Sequence, residues 1–244
     1  MLKYFIKKHT YYSQYLQDIF VDIVFFSKAK SGYFIDIGAY DGIKFSNSFY
    51  FEKNKNWKGV CVEPNKQVFD KLQQNRKCNL INGVISEIDG QVEYMRVDGE
   101  GEMLSGIVNN FAEKHIDRIE KSVEKFGGEK IVETVDSYSI KSVIKQYNIT
   151  KVSLLSIDTE GSEIQILKSF PFEQIRPTII LVENNYRTEE FSNLLRVKGY
   201  HFCFRLGDDI YYNQPITTSI KLKILIFRLF KKMNCFKQFK FSEA

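Results

Sequence analysis

The sequence predicts an α/β fold in which a mostly parallel sheet is covered by helices on both faces. Short strands that are apolar throughout alternate with amphipathic helical stretches, and such strands are typical of sheets buried on both sides. Three of these strands end in an acid, at Asp36, Glu63 and Asp158. The last two apolar stretches, 199–206 and 209–213, meet at "GDD" and predict a closing antiparallel hairpin.

The predicted strands and helices alternate along most of the chain. Before the closing hairpin, strands are predicted over 33–37, 59–64, 79–86, 90–97, 129–135, 151–158 and 178–184. Helices are predicted over 13–28, 42–53, 66–75, 109–126, 139–148, 162–170 and 187–198. Ser13 is placed to cap the first helix, and Pro64 ends the second strand because it has no N–H for the ladder.

No stretch rich in proline or serine marks a linker, so one main domain is expected. It is predicted over 32–214, with a helical lead-in over 1–31 and a basic amphipathic tail over 215–244. With 244 residues, of which 43% are hydrophobic, the chain can bury a substantial core.

The net charge of +5 is concentrated at the end of the chain. Seven lysines and arginines stand against one acid in 215–244, so the remainder is close to neutral. Because a general nucleic-acid binder spreads basic charge over its main domain, no nucleic-acid partner is expected. The lysines and apolar residues of 217–241 favour contact with a membrane surface, with docking on the domain or on a second subunit as alternatives. The sequence gives no indication of oligomeric state.

Cysteine usage and the N-terminal segment favour a cytoplasmic protein, with membrane association through the tail. The four cysteines show no CxxC pair or zinc-ligand spacing and are expected to be free thiols. No secretory signal is recognised. The apolar run 16–26 is too short to span a bilayer and is interrupted by Asp18 and Asp22.

The turn after the first strand indicates the class of ligand. "FIDIGAYDG" places Asp36 two residues before Gly38 and adds Gly42, so it lacks the GxGxxG pattern of dinucleotide folds. Asp36 would repel a pyrophosphate but suits a cationic ligand, and Gly38 lets the backbone approach it closely. Ala39 and Tyr40 complete the contacting turn. The alternative is a structural turn in which the aspartate caps a helix.

Glu63, at the end of the second strand, completes the cofactor prediction. A carboxylate in this place can accept hydrogen bonds from two vicinal ribose hydroxyls. An amino group and a sulfonium near Asp36, together with a ribose on Glu63, fit S-adenosylmethionine. The carboxyl ends of parallel strands share one edge of the sheet, so we expect these acids in one crevice with Asp158, Glu160 and Glu183.

The chain resembles the FkbM-type methyltransferases. The matching stretches are "SQYLQD" (13–18), "FIDIGAYDG" (34–42), "SNSFYFEK" (46–53), "NWKGVCVEPN" (56–65), "LSGI" (104–107), "LLSIDTEGSEIQIL" (154–167) and "ILVENN" (180–185). The resemblance covers about residues 13–213. It implies a class I methyltransferase fold, which is Rossmann-like, with a seven-stranded sheet and an antiparallel last strand. It also implies methyl transfer from S-adenosylmethionine to a hydroxyl, most often on a sugar.

The segment "SIDTEGSE" (156–163) is where we expect the acceptor chemistry. A sugar hydroxyl is a poor acid, so transfer to it needs alignment and either a carboxylate base or a metal ion. In one arrangement Asp158 or Glu160 is the base, and Glu183 closes the crevice from the next strand. In the other, Asp158, Glu183 and Asn184 bind Mg²⁺ through oxygen ligands. Both arrangements stay open at this point.

The sequence therefore predicts an S-adenosylmethionine-dependent O-methyltransferase acting on a saccharide, in a surface glycan or glycolipid. One alternative is a methyltransferase with a protein or lipid-like acceptor. Another is a cofactor-binding fold that no longer catalyses and serves as an interaction module. His115 is expected on a helix surface, with a role as the acceptor's base as the alternative.

Overall fold

The computed structural model describes residues 10–232, which form two sheets and the helices around them. The strands are β1 (Tyr33–Ile37), β2 (Lys58–Glu63), β3 (Asn79–Asn82), β4 (Val84–Ser86), β5 (Gly90–Val97), β6 (Gly106–Ile107), β7 (Lys130–Ser139), β8 (Leu154–Ile157), β9 (Ile179–Val182), β10 (His201–Leu206) and β11 (Asp208–Tyr212). The helices are α1 (Gln17–Val21), α2 (Phe49–Lys55), α3 (Lys66–Asn75), α4 (Glu113–Phe126), α5 (Ile140–Gln146), α6 (Glu163–Ser169), α7 (Glu190–Val197) and α8 (Thr218–Lys232).

The larger sheet has seven strands in the order β10-β11-β9-β8-β1-β2-β3. Every pairing from β9 through β3 is parallel, whereas β11 runs antiparallel to both of its neighbours. The predicted mostly parallel sheet and its antiparallel closing hairpin are therefore confirmed. The carboxyl ends of β1, β2, β8 and β9 lie side by side at one edge.

Both faces of this sheet are covered by helices, as the apolar strands predict. On one face Phe34 of β1 belongs to a core cluster with Phe20 and with Leu72 of α3. The next residue, Ile35, points the opposite way and joins a second cluster with Ile166 of α6. All five of these side chains are fully buried, and each such burial stabilises the fold by about 1.5–3 kcal/mol.

A second sheet has the strand order β4-β7-β5-β6. It forms because the chain bends where one continuous strand was predicted. The single strand expected over 79–86 divides at Gly83, which has φ +156°. A Cβ on Gly83 would lie 2.5 Å from the backbone oxygen of Asp136, so only glycine fits at this position. Beyond this point β4 pairs with β7, which is longer than the predicted 129–135. The strand over 90–97 also pairs with β7 and not with the large sheet.

The first predicted helix, over 13–28, is wrong in its first turn. Leu16 adopts the left-handed conformation, with φ 76° and ψ 25°, so the helix begins only at Gln17. After Val21 the chain continues as a π-helical segment over Asp22–Phe26. Ser13 is not a helix cap; its Oγ accepts a hydrogen bond from the Asp18 N–H at 3.1 Å.

The second predicted helix, over 42–53, begins later than expected, at Phe49. The residues before it form a turn because the Asp41 carboxylate accepts the backbone N–H groups of Ile43 and Lys44, at 2.8 and 2.7 Å. This turn leaves the segment 44–47 free to line the crevice described below.

The predicted tail forms helix α8 as far as Lys232. Ile224 and Phe227 are buried on the domain, and the Phe227 ring lies 5.0 Å from that of Phe20. The rest of the predicted membrane-contact segment, 233–241, lies outside the described residues. Over residues 10–232, no helix combines the length and the apolar character needed to cross a bilayer.

Candidate active site

A crevice of about 420 Å³ opens at the carboxyl ends of the large sheet. Its floor is formed by the ends of β1, β2, β8 and β9, and the segment Gly99–Leu104 with β6 covers one end. Eight of the lining residues are acids, and two, Lys44 and Arg118, are cations. The acids are Asp36, Glu63, Glu100, Glu102, Asp158, Glu160, Glu183 and Asp208. The fold therefore collects the predicted strand-end acids into one electronegative site.

The first turn brings backbone from three strands together. The N–H groups of Gly38 and Ala39 both donate to the Val62 carbonyl of β2, each at 3.0 Å. Gly38 has φ +82°, and a Cβ there would lie 1.7 Å from the backbone oxygen of Asp158. Gly38 thus permits close approach of the turn to β8. Tyr40 follows with φ 50°, which aims its N–H at Glu63.

Gly42 does not line the crevice, contrary to its predicted role in cofactor binding. A Cβ at Gly42 would lie 2.6 Å from the side chains of Leu72 and Arg76, so glycine is required here by the packing of α3. Arg76 also donates to the Gly42 carbonyl at 3.1 Å. The second glycine of the motif is therefore structural.

Asp36 borders the crevice, but its carboxylate is already held by the protein. Ser48 Oγ donates to it at 2.5 Å, and Arg76 donates to Ser48 Oγ at 2.9 Å. Burial raises the pKa of Asp36, and the positive charge of Arg76 opposes that shift. Asp36 consequently stiffens the turn, and its negative charge is partly balanced before any ligand arrives.

Glu63 is presented to the crevice by two backbone donors. Its carboxylate accepts the N–H of Tyr40 at 3.0 Å and the N–H of Asn65 at 2.9 Å, one on each oxygen. Each oxygen keeps acceptor capacity for a further donor. Burial raises the pKa of Glu63 to about 7, although both hydrogen bonds lower it. The side chain is thus fixed in orientation and ready to accept two adjacent hydroxyls.

Asp158, Glu160 and Glu183 form a compact acidic trio opposite Glu63. One carboxylate oxygen from each lies within 4.8 Å of the others, which is close enough to hold a metal ion. Asp158 opens directly into the crevice, whereas Glu160 and Glu183 are half-buried. Desolvation between the crevice walls and repulsion from the neighbouring acids raise the pKa of both Asp158 and Glu183 well above the usual range. The trio therefore favours uptake of a proton or a cation.

Glu160 is held in place by two residues of α4, Arg118 and His115. Arg118 of α4 donates to its Oε2 at 3.1 Å, and His115 Nδ1 lies 3.5 Å from the same oxygen. His115 is buried, not on a surface, and its Nε2 donates to the Leu104 carbonyl at 2.9 Å. Burial lowers the pKa of His115 and raises that of Glu160 to about 7. His115 does not line the crevice, so it supports Glu160 from behind.

Asn184 is not part of the trio, so the predicted ligand set of Asp158, Glu183 and Asn184 does not form. Its amide donates to the Thr188 carbonyl at 3.0 Å and to Asp209 at 2.8 Å, and its oxygen accepts the Thr188 N–H. Successive residues of an extended chain point to opposite sides, so Glu183 and Asn184 cannot both face the crevice. Glu160 occupies the third place instead.

A buried polar group at the base of the crevice was missed by the sequence analysis. Gln17 and Asn47 both donate to Asp208 Oδ2 at 3.1 Å. Burial raises the pKa of Asp208 to about 6. The side-chain oxygen of Asn47 is buried and has no hydrogen-bond partner among the described residues, and Asn47 lines the crevice. The three residues lie in distant parts of the chain, so no local pattern joins them.

The chain belongs to the family described as the Methyltransferase FkbM domain, which matches residues 36–206. No curated protein matches the chain. Among solved structures, it is similar to methyltransferase FkbM from Methylobacillus flagellatus KT, with 14% identity and a TM-score of 0.47, over 86% of this chain and 50% of that one. It is also similar to a methyltransferase from Pyrococcus furiosus, with 14% identity and a TM-score of 0.36, over 80% of each chain. The chain thus spans about half the length of the Methylobacillus protein.

Proposed function

We propose that this protein is an S-adenosylmethionine-dependent O-methyltransferase that acts on a hydroxyl of a neutral saccharide. The observation that carries the proposal is that Glu63 and the acidic trio of Asp158, Glu160 and Glu183 line the same crevice. Glu63 lies at one wall with free acceptor capacity, and the Asp158 trio lies at the other. The strand order and the antiparallel β11 support assignment to the class I methyltransferase fold.

The cofactor's nucleoside would lie between Glu63 and the Gly99–Leu104 segment. Glu63 accepts the ribose hydroxyls, and Met103, Leu104 and Ile107 line the crevice as apolar contacts for the adenine ring. Bound there, S-adenosylmethionine supplies an activated methyl group on a cationic sulfur. The eight acids of the crevice favour that positive charge.

Asp158 is the residue best placed to act as the general base. It opens into the crevice, and its raised pKa makes it a stronger proton acceptor than an ordinary carboxylate. The carboxylate charge of Glu183 stabilises the proton that Asp158 receives, because one oxygen of each group lies within 4.8 Å of the other. Glu160, held by Arg118, orients the turn beside them. These groups would hold the acceptor in line with the methyl group and remove its proton.

A metal-assisted arrangement is the second candidate. The trio offers only oxygen ligands, which suit Mg²⁺, and its members lie close enough to share one ion. Such an ion would lower the pKa of a bound hydroxyl. The Arg118 guanidinium beside Glu160 already supplies a positive charge there, which favours the arrangement without metal.

The charge of the crevice supports a neutral acceptor. A phosphorylated or carboxylated sugar would meet the acids of the trio, whereas sugar hydroxyls can donate hydrogen bonds to them. Tyr15 and Phe45 are exposed among the lining residues and offer flat apolar surfaces on which a sugar ring can stack.

The proposal is tested by incubating the protein with methyl-labelled S-adenosylmethionine and matched pairs of neutral and anionic saccharides. We expect label on a hydroxyl of a neutral sugar and none with the Asp158→Asn variant. Transfer to nitrogen or to protein acceptors alone would contradict the assignment. The Asp117→Asn variant, changed on the exposed surface of α4, is the matched control.

A further inference from the structure

Helix α8 carries more apolar side chains than the domain buries. Ile224 and Phe227 are buried against the domain, whereas Leu222, Leu225 and Leu229 are 56%, 52% and 52% exposed. With 3.6 residues per turn, these three leucines share one side of the helix, which faces away from the domain. We call them the outer leucine stripe. Exposed apolar surface of this kind on a helix indicates a site of interaction with another molecule or a membrane.

Cations border the outer leucine stripe. Lys221, Arg228 and Lys232 are exposed, and their spacings of seven and four residues place them along one edge of it. No acid occurs in α8, and Lys237 and Lys240 follow in the sequence. The outer side of the helix is therefore apolar along its centre and positive along one edge.

The helix is held firmly in this orientation. Lys223 Nζ donates to the Val24 carbonyl at 2.8 Å, which ties α8 to the π-helical segment. The Arg228 guanidinium lies 4.7 Å from the centre of the Phe204 ring. The outer leucine stripe is thus a fixed surface of the domain.

We propose that α8 attaches this protein to the surface of an anionic lipid bilayer, lying in the plane of the interface. The leucines would enter the boundary between headgroups and acyl chains, and the cations would meet the anionic headgroups. Antiparallel pairing with a second copy is disfavoured because a two-fold axis across the helices would place the two cationic edges side by side. A nucleic acid would match the cations but leave the leucines without an apolar partner.

Sedimentation with vesicles tests this proposal on the full chain. Vesicles of phosphatidylcholine alone are compared with vesicles containing phosphatidylglycerol, at low and high salt. We expect the protein to pellet with the anionic vesicles only, and to be released by salt. Replacing Lys221 and Lys232 by Gln should weaken binding about fivefold for each cation removed. Replacing the three leucines by Ser should weaken it at least about tenfold in total.

Matched controls keep the test specific. Lys121→Gln with Lys141→Gln removes two exposed lysines elsewhere, and Val197→Ser removes an apolar side chain that is 83% exposed on α7. Both should bind vesicles like the parent, and circular dichroism checks that every variant folds. Equal binding to neutral and anionic vesicles would overturn the proposal, as would absence of binding. A dimer that the leucine variant loses, in a protein that ignores vesicles, would also overturn it.

Discussion

The Cβ position of Gly38 lies 1.7 Å from the backbone oxygen of Asp158, so the cofactor-side turn and the acceptor-side strand end are in direct contact. No side chain fits between them. The turn that we assign to cofactor binding is therefore positioned by the strand that carries the proposed base. This contact fixes the spacing between the two halves of the site.

Replacing Gly38 by Ala should destabilise the protein by more than about 3 kcal/mol. The added methyl group overlaps backbone atoms, and relief requires one strand end to move. Urea unfolding followed by circular dichroism measures the loss. Gly127→Ala is the control, because Gly127 has φ +75° but nothing within 4 Å of its Cβ position. Gly127 has ψ −170°, so the control should cost about 1–3 kcal/mol from backbone strain alone, and equal losses for the two variants would count against the contact.

Replacing Glu63 by Gln should weaken binding of S-adenosylmethionine by about 1.5–3 kcal/mol. The amide loses one acceptor oxygen and the negative charge that strengthens a hydrogen bond from a ribose hydroxyl. Titration calorimetry gives the affinity. Glu129→Gln, on the exposed surface, is the matched variant and should bind like the parent. Unchanged affinity in the Glu63 variant would remove that residue from the cofactor site.

Replacing Asp158 by Asn should abolish methyl transfer and leave the cofactor affinity within a few fold. The amide keeps the shape of the strand end but cannot accept the proton of the acceptor hydroxyl. Single-turnover transfer of labelled methyl groups, together with calorimetry, separates the two effects. Transfer at the parental rate would show that the base is another residue of the trio.

The stability of the cofactor-free protein should fall as the pH rises from about 4.5 to 7. Glu63 titrates near pH 4.5 in the unfolded chain and at about 7 in the folded protein. In this window the folded state binds more protons, so a contribution fully present below pH 4.5 is lost as the pH rises through 7. The raised pKa of Glu63 alone accounts for a loss of about 3 kcal/mol in the free energy of unfolding. Unfolding curves at a series of pH values give the free energy of unfolding, which should depend less steeply on pH in Glu63→Gln. An equally steep dependence in that variant would contradict the assignment.

Chelation should leave methyl transfer unchanged. Arg118 already places a positive charge 3.1 Å from Glu160, so the trio can function without a metal ion. Assays with EDTA, with and without added Mg²⁺, measure this directly. Loss of transfer that Mg²⁺ restores would favour the metal-assisted arrangement instead.

The sequence predicts the parts of this site that depend on local patterns. Apolar strands ending in acids placed Glu63 and Asp158 at one edge of a sheet, because strand direction and period are local properties. The packing requirement for glycine at position 42 could not be predicted locally, because it comes from Leu72 and Arg76, which are 30 and 34 residues further along the chain. A stricter use of strand alternation would have separated Asn184 from Glu183.

Contacts between distant segments account for what was missed. Gln17 and Asp208 are 191 residues apart in sequence and meet only after the sheet is complete. His115 and Glu160 meet because α4 packs beside the β8 turn, and no spacing between them indicates it. The division of 79–86 at Gly83 likewise depends on β7, which lies about 50 residues further along.

Calorimetric titration of the purified, folded protein with S-adenosylmethionine, and with its demethylated product, decides whether the crevice is a cofactor site. We expect saturable heat at one site per chain, and less heat in the Glu63→Gln variant. If neither compound gives saturable heat, the crevice does not bind this cofactor, and every role assigned to its carboxylates fails with it.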